Sequence, residues 1–164
     1  MSAQLTELDG LLKQLVAEHR KLLADLDAQQ AAMRRLDADA MDAATRRQEQ
    51  ARLRILSLET RRRLITAQLA KMLRVPEQQV TVLKLAELAP HYRPSLLASR
   101  TELKELIAKI STRATVAGKV AGAVLGHINQ VIRIIAGAVE RAGLYTKSGV
   151  PQVSARVGVM EAVG

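Results

Sequence analysis

The chain has 164 residues, 25 Lys and Arg against 16 Asp and Glu, no Cys, and only two aromatic residues, Tyr92 and Tyr145. That length fits one domain or one elongated unit with its own core, and makes no case for two enzymatic domains. The absence of Cys excludes a disulfide scaffold, a thiolate zinc site and a thiol nucleophile, while the abundance of Leu, Ala, Arg, Gln and Glu is that of long helices and coiled coils.

From Leu5 an apolar seam runs through Leu8, Leu12, Leu15, His19, Leu22, Leu26, Gln29, Met33 and Leu36 in alternating steps of three and four, which predicts a first helix over about 3–36. Asp37 follows as an N-cap candidate, because its carboxylate can accept an unpaired N–H of a new first turn. The second helix, about 38–74, repeats the pattern at Met41, Ala44, Gln48, Ala51, Ile55, Leu58, Arg62, Ile65, Leu69 and Met72. Two helices so closely joined should lie antiparallel. Val75 and Pro76 end the second helix, since proline disfavours the α region for the residue before it. A short helix is expected over 81–89 with Leu83 and Leu88 inward, then a turn bracketed by Pro90 and Pro94.

A long helix is expected from Pro94 to Ala142, on the order of 70 Å, with its far end projecting. Its stripe reads Leu103, Leu106, Ile110, Ala114, Ala117, Ala121, Val124, Ile128, Val131, Ile135 and Ala138, and the two successive steps of four after Leu106 let it drift around the helix. Charge is dense as far as Lys109 and thin after Arg113. Gly118, Gly122 and Gly126 recur every four residues, which fits either close approach of another helix or a helix weakened by about 1 kcal/mol per Gly. The segment after Gly143 has no helical period and is expected to be a mobile tail when free. The fold class is therefore all-α: a long antiparallel hairpin plus a long C-terminal helix in an elongated coiled-coil-like bundle, one domain over 1–142 with a flexible tail over 143–164.

Charge is unevenly placed. Residues 1–50 carry 7 basic and 9 acidic side chains, net −2, whereas residues 51–75 carry 7 against 1, net +6. The basic patch, with Arg61, Arg62 and Arg63 at its centre, could meet nucleic-acid phosphates, but it lacks interleaved aromatics and contains Glu59 four residues before Arg63 as an intrahelical pair. A solvated helix face is the preferred reading. His19, His91 and His127 stand apart without ligand spacing, and no phosphate loop, nucleophile elbow or paired carboxylates occur, so no metal, cofactor or catalytic residue is expected. Met1–Gly10 carries Glu7 and Asp9 and no apolar run, so no secretory signal is read and a cytoplasmic setting is expected. The most apolar window, 120–139, is interrupted by His127, Asn129, Gln130 and Arg133, which argues against a membrane span.

Leu58, Glu59 and Arg62 followed by Leu64 and Ile65, then Asn129, Gln130, Val131 and Ile132, and finally Tyr145 with Gly149 stand in an order and spacing that resembles the FlgN-like flagellar export chaperone family. The chain departs from the family pattern in having Gly126 where another Asn is usual, and in being basic. The resemblance implies a cytoplasmic chaperone that binds hook–filament junction proteins, prevents their early assembly and delivers them to the flagellar type III export apparatus. On that reading the client-binding residues are Leu125, Ile128, Asn129, Val131, Ile132, Ile135 and Val139, closed off by Leu144 and Tyr145, with a client helix pairing in a helix-in-groove or coiled-coil contact. The alternatives are a structural coiled-coil protein that self-associates through the same apolar helix, and a basic helical nucleic-acid binder.

Overall fold

The structure is a computed structural model that describes residues 1–141, and of residues 125, 127 and 134–141 the backbone only. The chain divides into two compact units, Met1–Gly118 and Lys119–Gly164. Among the described residues four α-helices succeed one another: α1 (Ser2–Arg35), α2 (Ala38–Leu73), α3 (Val82–Leu88) and α4 (Arg93–Arg141), with a 3-10 turn at Glu77–Gln79. No strand occurs among the described residues. The fold class is the all-α one expected.

Sequence chemistry sets the helix ends. The Asp37 side chain accepts a hydrogen bond from the Ala40 N–H at 3.0 Å and so caps α2, and Thr81 caps α3 by accepting from the Lys84 N–H at 3.2 Å. At the other ends, Leu36 and Arg74 adopt left-handed backbone, with φ 54 and 55. Each completes a reversed pair of bonds: Asp37 N–H to Ala32 O and Leu36 N–H to Met33 O, then Val75 N–H to Ala70 O and Arg74 N–H to Lys71 O. These bonds satisfy carbonyls that a helix terminus otherwise leaves open.

In the first unit α1 packs antiparallel on α2, while the start of α4 runs beside α1 in the same direction. The α1–α2 register is written in cross-helix polar pairs: Glu7 with Arg61, Glu18 with Arg54 and Asp25 with Arg47, and farther along the Gln29 amide donates to the Thr45 hydroxyl. The α1–α4 register shows in Thr6 with Tyr92, Arg20 with Glu102, and Asp27 with Arg113. Leu5, Leu8, Leu11, Leu12 and Leu15 of α1 meet Ile65 and Leu69 of α2, Leu85 and Ala86 of α3, and Leu96 of α4 in one core. Because α1 has neighbours on two sides, its buried stripe is wider than one seam and takes in Leu11 and Val16 as well.

Three expectations are corrected. Leu83 and Leu88 are exposed, and Leu85 with Ala86 turns inward instead, because the short α3 presents the middle of its run to the core. Leu36 leaves the α1 seam, since the left-handed cap points it to solvent at 80% exposure, and Met72 in the last turn of α2 is exposed too. Glu59 pairs with Arg62 and not with Arg63.

Candidate functional site

Along α4 burial stops well before the helix does. Leu96, Ser99 and Leu106 are buried and Leu103 and Ile110 half-buried, in steps of three and four that keep one face on the bundle. After Ile110 the ordinary amphipathic division is lost. Val116 is exposed, and in the second unit Val120, Val124, Ile128, Val131 and Ile132 are 38 to 57% exposed. Between Leu106 and Val139 the sequence has no Asp or Glu, and from Ala114 to Ile132 its one formally charged residue is Lys119. A β-branched ridge at 116, 120, 124, 128 and 131 thus lies open on a helix with almost no charge to solvate it. Single exposed aliphatics are ordinary, but a row of them along one helix marks a surface that is covered in use.

The glycines stand elsewhere on the same helix. At about 100° per residue, Gly118, Gly122 and Gly126 fall well around the helix from the valine ridge. A Cβ built on any of the three would meet nothing within 4 Å, so no described neighbour makes a close approach there. Asn129 is exposed and falls on the glycine side of the helix. Of the candidate binding residues, Ile128, Asn129, Val131 and Ile132 thus share one open stretch. The side chains of Leu125, Ile135 and Val139, the whole of Leu144 and Tyr145, and the tail over 143–164 lie outside the described residues.

The basic patch has a different character from its appearance in the sequence. Arg47, Arg54 and Arg61 recur at seven-residue intervals and reach across to Asp25, Glu18 and Glu7 of α1, at 2.6, 2.9 and 2.8 Å. Arg52 binds Glu49 and Arg62 binds Glu59 within α2. The excess of positive charge on the second helix therefore answers the acidic first helix. Arg63 is exposed and forms no ion pair among the described residues. Glu18 is the most buried carboxylate of the ladder: burial pushes its pKa up, but hydrogen bonds from Lys21 and Arg54 and the charges of both outweigh it and leave the pKa below the usual range. Asp9 follows the same pattern, burial being outweighed by Lys13 and the Ser95 hydroxyl.

Among the described residues, no group of three His, Cys, Asp or Glu side chains is placed to hold a metal ion. No described helix is long and apolar enough to cross a membrane. Among its described residues the second unit offers an exposed apolar helix surface. A family model described as FlgN protein matches residues 1–152. The chain belongs to the FlgN family. That match spans the whole bundle and the open helix together, and FlgN membership carries the general role of a flagellar export chaperone. FlgN proteins are chaperones and not known enzymes. No curated protein and no solved structure gives a significant match to the chain.

The residues that carry the resemblance to the family fall in two settings, and Leu64 among them is exposed. Leu58, Arg62 and Ile65 belong to the α1-facing side of α2, half-buried or buried, whereas Asn129, Val131 and Ile132 lie on the exposed helix. The heptad spacing of Arg47, Arg54 and Arg61 was legible in the sequence and would have assigned the patch to the hairpin, had the acidic residues of the first helix been set against it in antiparallel register.

Proposed function

We propose that the chain is a cytoplasmic export chaperone that holds the terminal helices of hook–filament junction proteins on the helix over 119–141, keeps them from assembling early and passes them to the type III export apparatus. The observation that carries this reading is the row of exposed Val120, Val124, Ile128, Val131 and Ile132 on a stretch of helix, 106–139, without carboxylates. An amphipathic client helix laid on that row buries apolar surface on both partners at about 25 cal/mol per Å². The work is done by packing alone; nothing in it calls for a cofactor, ATP or a small-molecule substrate. Leu125, Ile135 and Val139 extend the same ridge by helical spacing, Asn129 sets register from beside it, and Leu144 and Tyr145 close over its end.

Co-expression with a junction protein tests the reading. A soluble one-to-one complex is expected, lost on Ile128→Asp with helicity by circular dichroism retained. An intact chain that binds no junction protein overturns it. Sedimentation over a concentration series separates self-association, which predicts a mass that grows with concentration and falls on Ile128→Asp.

A further inference from the structure

A second open apolar surface lies in the first unit, wholly on α2. Leu53, Leu56 and Leu64 are 52, 57 and 60% exposed and, with Ser57, Thr60 and Arg61, line a shallow groove along the helix. On a helical wheel these leucines fall opposite Ala51, Ile55, Ile65 and Leu69, which face the core, so no adjustment of the hairpin can cover them. The ridge is about 16 Å long, three turns of helix. Its flanks are cationic: Arg52 and Arg63 border one side, Arg54 and Arg61 the other, and Lys71 stands in line beyond its end. Arg63 and Lys71 have no carboxylate partner among the described residues, and Arg52, Arg54 and Arg61 remain 53 to 63% exposed within their ion pairs. Such exposed pairs hold their arginines weakly, and each guanidinium keeps donors free for another carboxylate.

We infer that this face of α2 docks an amphipathic helix of another protein whose apolar ridge is bordered by Asp and Glu. Charge selects that occupant. Residues 51–75 carry 7 basic side chains and the single acid Glu59, so a second copy presenting the same face would set like charges against each other. An anionic bilayer satisfies the charge but not the ridge, which offers three leucines interrupted by Thr60 and no aromatic residue to bury in an interface. The surface lies wholly on α2, within the first unit.

The probe is a synthetic helix of about three heptads, Leu at the core positions and Glu beside them, with a matching peptide carrying Lys in place of Glu. Both are titrated into the full chain by fluorescence anisotropy at low and moderate salt. The Glu peptide is expected to bind, more weakly as salt rises, and the Lys peptide at least about tenfold more weakly. Leu56→Glu with Leu64→Glu, and separately Arg63→Glu, should each raise Kd for the Glu peptide by about tenfold or more, while Ile128→Asp leaves it unchanged. All these positions are exposed, so circular dichroism should match the parent chain. Equal binding by the α2 variants, or loss in Ile128→Asp alone, overturns the inference. So does a dimer in sedimentation that the leucine variant dissolves, or co-sedimentation with phosphatidylserine vesicles that the leucine variant abolishes without any effect on peptide binding.

Discussion

Leu36 and Arg74 end their helices in left-handed backbone, a conformation that costs a β-carbon-bearing residue on the order of 1 kcal/mol and glycine almost nothing. Leu36 is also 80% exposed, so its side chain contributes little in return. Leu36→Gly is therefore expected to raise unfolding stability by about 0.5–1 kcal/mol, measured as a higher urea midpoint at unchanged slope. At the opposite extreme, Leu15 and Leu69 are fully buried where α1 and α2 meet. Leu15→Ala should cost about 2–5 kcal/mol in the same assay, the transfer loss plus the cavity that the long helices cannot collapse around. Both leucines could be read from the sequence, since each sits in an unbroken three-four seam. Leu36 could not, because it continues the seam arithmetic and only the chain reversal at Asp37 removes it from the core.

At the scale of elements, the hairpin is held in register by Glu7, Glu18 and Asp25 against Arg61, Arg54 and Arg47. Glu18 gives this ladder a measurable pH signature. Its carboxylate has a folded-state pKa below its usual value of 4.5, so it stabilises the fold above that pH and the contribution disappears as pH falls through the lower folded pKa. Glu18→Gln should cost about 1–2 kcal/mol near neutral pH, and the gap between variant and parent should close in acid. Denaturation series at several pH values check this; a gap that persists in acid would assign the loss to packing.

The helix over 119–141 behaves oppositely, with its glycines facing open space. Gly122→Ala should add helix stability of about 1 kcal/mol in the free chain, read from thermal loss of helicity. If a client helix approaches over that face, the same change should weaken the complex. In the sequence of α4 the two steps of four after Leu106 mark the region near Ile110, beyond which no described residue is buried. The stripe misses Leu96 and Ser99 before that point, since neither belongs to the run that begins at Leu103.

For the molecule as a whole, burial distinguishes the two units. The first unit spends its leucines on a core and its arginines on the α1–α2 register, and both were partly visible in the sequence as seams and as opposed blocks of charge. The antiparallel pairing of those blocks was not, because a charge total says nothing of which carboxylate each arginine will meet. In the second unit the described row of exposed Val and Ile leaves its apolar surface open, and membership of the FlgN family gives the chain a general role in flagellar export. A client is expected to cover that row, and amide hydrogen exchange on the purified one-to-one complex tests this most directly. Protection should rise over residues 119–141, with core amides of α1 and α2 near Leu15 and Leu69 little changed. A complex that forms with no gain of protection across 119–141 would contradict the central claim.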